Sequence, residues 1–455
     1  MALSYNKLWK KLIDLGINKT ELRLETGITT NVLAKMGRNE SVSLDNLEKI
    51  CVYLKCELDD IVDIIPTPEQ SSNEEYSLSE SCIFDKDYNS LLEINWNFDG
   101  QSNDEFANIH PYPAKFINSI PKSLIEQLGC PDETAVMDPF CGCGTTLYES
   151  QAHGYQSVGI DLNPIACMIS RIRTTDLSPS FENSYKMICK NLRTRSIPKE
   201  RIDVDIPNVE HWFEPIVQNT IIALIEEINK QDDEKLRDEL RFCLSSIMVR
   251  ISNQESDTRY AAIQKLIDVS EVVSLFESAC KKLSKVKNNY QSGPCAKVLN
   301  YNVLEIKKQQ IKMKIGLVIT SPPYPNAYEY WLYHKYRMWW LGYDPIHVRE
   351  LEIGARPHYQ KKNGQTEEDF KQQMNSVFDL FDEVVVKGGH VCIVVGRSII
   401  KKKYVNNAQI IADLGEKHGY SFVANIVRDI SSNRKSFNPS FAKINKENIL
   451  VFRRI

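Results

Sequence analysis

The sequence has no apolar run long enough to cross a bilayer. Its start, Met1 to Lys7, lacks the apolar core of an export signal. These absences point away from a membrane or exported protein and make the cytoplasm the expected location. The twelve cysteines include no C-x-x-C pair, so the spacing of a zinc site is missing and no metal is expected. Only Cys141 and Cys143 lie close together, and they read as reduced thiols. A P-loop, a Ser/His/Asp arrangement and paired catalytic carboxylates are also absent, which removes nucleotide-driven, serine-hydrolase and glycosidase chemistry. No nuclease or helicase motif and no internal repeat is present. Positive charge is in short supply, with 56 Lys and Arg against 60 Asp and Glu and a net charge of −4.

What is present begins with Thr320-Ser321-Pro322-Pro323-Tyr324, directly after the apolar run Ile315 to Ile319. That run predicts a buried parallel strand, and open α/β sheets place their chemistry at the C-terminal ends of strands. The two prolines fix φ and remove two N–H donors. Ser321 Oγ and the Pro322 carbonyl can accept the two hydrogens of an amino group on a flat ring, and Tyr324 can stack on its face.

Upstream, the strand Thr134 to Met137 runs into Asp138-Pro139-Phe140-Cys141-Gly142-Cys143-Gly144-Thr145-Thr146, followed by a helix from about Leu147 to His153. Gly142 and Gly144 permit a tight turn and close approach of a ligand to the backbone. The next strand, Ser157 to Ile160, ends at Asp161, where an acid can accept hydrogen bonds from both hydroxyls of a ribose. The spacing is not that of a dinucleotide fingerprint, and no phosphate-gripping lysine follows.

With these motifs the chain resembles the amino-group DNA methyltransferases that use S-adenosylmethionine, over roughly Asn108 to Ile455. The resemblance matches Asp138 to Thr146 to the cofactor loop, Asp161 to the ribose acid and Ser321 to Tyr324 to the catalytic tetrapeptide. It matches His110 to Phe116 to the segment that closes over the methionine part. It therefore implies cofactor contacts from Tyr112, Pro113, Lys115, Asp138, Phe140, Cys141, Gly142, Gly144, Thr145, Asp161 and Leu162. Asn302, after a strand at Lys297 to Asn300, is a candidate for the adenine amine. Catalysis would fall to Ser321, Pro322, Pro323 and Tyr324. In this family S-P-P-Y is typical of cytosine-N4 enzymes and D-P-P-Y of adenine-N6 enzymes. The cofactor motifs come first here, whereas many S-P-P-Y enzymes are permuted the other way. The implied substrate is double-stranded DNA with a flipped-out base, and the implied partner is a cognate restriction endonuclease encoded nearby. Adenine-N6 methylation, methylation of RNA or a protein amide, and a regulator that only senses S-adenosylmethionine are the alternatives. The intact S-P-P-Y argues against the last.

From Tyr5 to Ile65 the apolar residues recur at helical spacing, with Asn18 and Thr29 placed to cap helices. Lys19 to Leu33 resembles a helix-turn-helix of the phage-repressor type, a five-helix bundle that presents its third helix to the major groove. Thr29, Thr30, Asn31, Lys35 and Arg38 would face DNA. A helical interaction domain without DNA contact is the alternative. Residues 69–105 carry ten acids against the single Lys86 and read as an acidic linker. Removing them leaves a weakly basic remainder, with lysine clusters at 281–287, 307–314, 361–362 and 401–403 as a candidate phosphate track.

A helical insert is expected at about 176–294. It is interrupted by the polar run Ser252 to Tyr260, where Arg259 would meet the target strand; a solvent loop is the alternative. The expected architecture is α/β: a Rossmann-like, mainly parallel methyltransferase sheet with a helical insert at 106–455. An all-α helix-turn-helix domain occupies 1–66 and a linker 67–105.

Overall fold

A computed structural model describes residues 2–14, 17–37, 40–65, 78–98, 105–113, 116–200, 204–257, 259–288, 290, 293–326, 328–361, 363–401, 403–430 and 446–455. The chain divides into two compact units, Met1–Glu75 and Tyr76–Ile455.

In the small unit, strand β1 (Ala2–Ser4) pairs antiparallel with β2 (Asp63–Ile65). Between them lie helices Asn6–Asp14, Lys19–Thr26, Thr30–Gly37 and Leu44–Leu54 and a single 3-10 turn at Leu58–Asp60. The expected all-α, five-helix domain is thus four α-helices closed by a two-stranded ribbon among the described residues. Asn18 Oδ1 accepts from Thr20 N and Glu21 N at 3.0 and 2.9 Å, so it caps the second helix as anticipated. Thr29 Oγ1 accepts from Val32 N at 3.3 Å. Gly27, at φ 67°, ends the second helix in the left-handed region. Tyr5, Leu8, Leu22, Met36, Ile50 and Ile61 form the core.

The large unit is built on an eight-stranded sheet. In chain order its elements are β3 (Cys82–Ile83), β4 (Ala135–Asp138), β5 (Ser157–Asp161), a hairpin of β6 (Gln254–Ser256) and β7 (Arg259–Ala262), β8 (Ala296–Asn300), β9 (Ile315–Thr320) and β10 (Val385–Gly396). A second hairpin, β11 (Ser398–Ile400) with β12 (Lys403–Val405), precedes β13 (Tyr420–Asp429) and β14 (Lys446–Arg454). The sheet order is β3-β13-β14-β10-β9-β4-β5-β8, the two hairpins standing apart from it. Strands β8, β5, β4, β9 and β10 pair parallel. At the other edge β14 runs antiparallel between β10 and β13.

Alternate residues go to opposite faces, as a pleated strand requires. Val136, Leu317, Ile319 and Val394 pack with helix Ser119–Leu128, while Met137, Val318, Ile393 and Phe452 pack with helices Glu367–Val384 and Asn407–Lys417. A third core joins helices Phe181–Thr194, Pro215–Asn229, Glu234–Ile247 and Val269–Lys287 to Pro164–Thr174 and Tyr330–Trp340. The first four of these helices fall within residues 176–294.

Three expectations change here. The acidic stretch assigned to a linker contains a packed segment at 78–98: β3 pairs with β13, and Leu78, Leu91 and Trp96 are buried. Its average composition hides three apolar anchors. Lys287, counted in a basic surface cluster, is buried and donates to the carbonyls of Arg173 and Thr175 at 2.8 and 2.7 Å. In the polar run, Ser252, Asn253 and Gln254 are buried, and Asp257 pairs with the buried Arg337, which also donates through Nε to Ser245 O. That part of the run ties the insert to helix Tyr330–Trp340.

Candidate active site

The chain leaves β4, moves outward through β5 and β8, then returns to β9 and β10 on the other side of β4. The reversal lies between β4 and β9, and the loops after these two strands open at the same end of the sheet. Asp138 closes β4 and Thr320 closes β9. Thr320 Oγ1 donates to Asp138 Oδ1 at 2.7 Å, with both side chains buried. Phe140 N donates to the same oxygen at 3.1 Å. Burial pushes the Asp138 carboxyl up to about 6, with the Thr320, Thr146 and Phe140 donors opposing it. Asp138 therefore fastens the glycine loop to the start of the S-P-P-Y loop, a different use from direct contact with a ligand.

Asp161, at the end of β5, accepts from Gly142 N at 2.9 Å and from Asn163 N at 2.8 Å. A carboxylate has about four acceptor positions, so two remain. Its carboxyl is also raised to about 6, chiefly by desolvation and further by Asp138. Gly142, at φ 49°, turns its backbone beneath the Tyr112 ring, and a Cβ there would meet Tyr112 OH at 3.1 Å. Tyr112 in turn faces Tyr330 (ring centroids 6.0 Å apart) and His334 (5.3 Å).

Several residues that no local motif marks hold the site. Arg173, buried, donates to the Cys143 carbonyl at 3.3 Å and to Thr145 Oγ1 at 3.1 Å, holding the glycine loop from below. Glu352 accepts from Tyr330 N and Trp331 N at 3.0 and 2.7 Å, capping the aromatic helix. Burial raises its carboxyl to about 8, and Asp161 adds to the rise. The Tyr324 hydroxyl lies 3.4 Å from Ser321 Oγ, 3.4 Å from Val394 O and 3.3 Å from Glu447 Oε1. The S-P-P-Y loop is held further by Asn326, whose N–H donates to Gly354 O and whose side chain donates to Ile399 O.

The remaining candidates divide. Cys141 and Thr145 are buried in the loop, and Pro113 is buried beside Tyr112. Phe140 and Leu162 are half-buried packing residues. Asn302 spends its side chain locally, accepting from Leu304 N and donating to Glu305 Oε1. Thr29, Thr30 and Asn31 are exposed at the start of helix Thr30–Gly37, and Lys35 is half-buried. Lys115, Arg38 and the side chain of Arg259 lie outside the described residues.

Among the described residues the site is rich in aromatic rings, and its glycine loop rests on the buried Arg173. Asp138, Asp161 and Glu352 all stand above the usual carboxylate range. Asp138 and Glu352 are spent on internal hydrogen bonds, which leaves Asp161 and the ring faces of Tyr112 and Tyr330 as the groups a ligand would meet. The two spare acceptor positions on Asp161 match the two hydroxyl donors of a ribose.

Comparison with known proteins accords with both units. Residues 7–67 match the model of the Cro/C1-type HTH DNA-binding domain. The chain is 22% identical over 289 residues to the type II methyltransferase M.BsoBI of Geobacillus stearothermophilus, covering 56% of each chain. It is 25% identical over 243 residues to the type II methyltransferase M.MvaI of Kocuria varians, covering 48% of this chain and 53% of that one. The solved transcriptional regulator VanUg is 48% identical over 14% of this chain and 88% of its own, with a TM-score of 0.14. The protein thus combines a Cro/C1-type helix-turn-helix domain with homology to type II DNA methyltransferases. It spans about half the length of the curated relatives it matches.

Proposed function

We propose that the protein transfers a methyl group from S-adenosylmethionine to the exocyclic amino group of a DNA base, with cytosine N4 as the acceptor. The observation that carries this reading is the Thr320–Asp138 hydrogen bond, which sets the S-P-P-Y loop beside the glycine loop at the switch point. Asp161 would hold the ribose, and the backbone from Asp138 to Thr145 and the Tyr112 ring would enclose the methionine part. S-adenosylmethionine, when bound, supplies an electrophilic methyl group attached to a cationic sulfur. An exocyclic amine is a poor nucleophile because its lone pair is delocalised into the ring. Hydrogen bonds from its two N–H groups to Ser321 Oγ and the Pro322 carbonyl favour a more pyramidal nitrogen aimed at the methyl carbon. Positioning and preorganised acceptors then supply most of the rate. No cysteine nucleophile is required: the one Pro-Cys pair, Pro294-Cys295, stands just before the start of β8, at the opposite end of the parallel strands from the S-P-P-Y loop.

The exposed Thr29, Thr30 and Asn31 would give the small unit a DNA-reading role of its own. A methylase whose level must match a partner nuclease gains from repressing its own promoter, and we assign the domain that use within a restriction–modification system. The test is product analysis. DNA exposed to the protein and S-adenosylmethionine, then digested to nucleosides, should yield N4-methylcytosine by mass spectrometry. N6-methyladenine alone would reverse the base assignment, and no methylated nucleoside would refute the activity.

A further inference from the structure

The neighbours of the Tyr324 hydroxyl favour one hydrogen-bond polarity. Its hydroxyl has one proton and three oxygen neighbours: Ser321 Oγ, Val394 O and Glu447 Oε1. A carbonyl and a carboxylate can only accept. When Tyr324 donates to either of them, away from the loop, its oxygen is free to accept the proton of Ser321. With that proton committed, Ser321 turns only lone pairs toward the pocket. Pro322, lacking an N–H, adds a carbonyl. The loop then presents acceptors alone, which suit an amino group and reject a keto oxygen at the same place.

What fixes this polarity lies remote in sequence. Glu447, at the start of β14, uses Oε2 to accept from Arg428 Nη1 at 2.6 Å. Arg428, on β13, is 3% exposed and donates through Nε to Trp96 O at 3.0 Å. Trp96 belongs to the segment at 78–98 and is itself pinned by its indole N–H on Leu91 O at 2.7 Å. The guanidinium holds Oε2 and leaves Oε1 facing Tyr324.

We propose that Glu447 is a positioning residue, acting through Tyr324 to make Ser321 a pure acceptor for the amino group of the target base. This rests on the amino-methylation reading above. It also separates two uses of Tyr324. Stacking needs only the ring, whereas polarity needs the hydroxyl. In Glu447→Gln the buried Arg428 still demands an acceptor, so the amide oxygen turns to it and the NH2 group faces Tyr324. The shape is kept and the polarity is reversed.

The experiment compares the full-length wild type, Tyr324→Phe, Glu447→Gln, the double variant and Ser321→Ala. The probes are labelled S-adenosylmethionine and unmethylated genomic DNA. Each of the first two changes should lower kcat by about tenfold or more, with donor Kd and DNA KM held within about twofold. The double variant should be no slower than the slower single, because both cut one chain of bonds. Wild-type turnover in Tyr324→Phe, or multiplied losses in the double variant, would overturn the proposal. If Ser321→Ala is inactive in that case, amino-methylation survives and only the polarity argument falls. A wild-type protein that labels no DNA removes both. Should Glu447→Gln fail to bind the donor through misfolding, Tyr324→Phe decides alone.

Discussion

Thr320→Val is the sharpest probe of the weld between the two loops. The substitution is nearly isosteric and removes one donor from a carboxyl that is 3% exposed. The Asp138 carboxyl lies at about 6 against an ordinary 3.8. A folded value above the unfolded one means that ionisation costs stability. The cost appears as pH rises from about 4 to about 6 and levels off above, at roughly 3 kcal/mol. Thr320 opposes that cost by bonding the charged form. At pH 8 its loss should therefore cost about 1.5–3 kcal/mol, the range for a hydrogen bond to a charged group. At pH 5 Asp138 is mostly protonated, and the loss should be only about 0.5–1.5 kcal/mol, that of a neutral bond. Urea unfolding followed by tryptophan fluorescence reads the large unit, because five of the six tryptophans lie there (Trp9 is the exception). A destabilisation equal at the two pH values, or greater at pH 5, would refute the assignment of Asp138 as a buried, Thr320-stabilised carboxylate.

Asp161→Ala should weaken S-adenosylmethionine binding by about 1.5–3 kcal/mol. In the wild type, affinity should fall as pH drops through about 6, where burial has placed this carboxyl. Calorimetry at pH 5 and 8 checks both, and a pH-independent affinity would count against a ribose acid. Gly144→Ala combines a φ of 77° with a Cβ 2.9 Å from Ser170 Oγ and 3.0 Å from Ser170 Cα. It should cost about 1–3 kcal/mol in thermal or urea unfolding, and an unchanged midpoint would show that the loop relaxes freely. In the full chain, Thr30→Ala with Asn31→Ala should abolish gel shift of the protein's own upstream DNA while leaving methyl transfer to a remote duplex intact. Reduced methylation instead would mean that the domain serves to tether the enzyme to its substrate.

Much of the site could be read along the chain because its parts are local. The strand–loop–helix at 135–152 and the strand ending in S-P-P-Y each occupy one short stretch, where apolar runs, glycines and prolines act as punctuation. The caps at Asn18 and Thr29 were legible for the same reason. The supporting residues were not. Arg173 reaches a loop 28 to 30 residues away, and Arg428 reaches Trp96 across 332 residues. A single buried arginine or glutamate carries no periodic signature, and only the fold chooses its partner. The antiparallel insertion of β14 was hidden likewise, since an apolar strand does not announce its direction. Segment 78–98 was misread because charge, averaged over a window, outweighed Leu78, Leu91 and Trp96.

That segment also bears on how the chain comes to fold during synthesis. Ser81 exchanges hydrogen bonds with Val427, 346 positions later, and among the described residues β3 pairs with β13 alone. At translation speeds of about 5–20 residues per second, the wait for β13 lasts roughly 20–70 seconds. Over that interval Leu78, Leu91 and Trp96 lack the part of their cores that β13 and β14 supply, and β10 stands with one edge open until β14 arrives between it and β13. The nascent chain must keep an aromatic, apolar stretch soluble for most of its production. The acids interspersed through 80–93 are suited to that task, so the charge that makes the segment look like a linker also guards it until its partner strand exists.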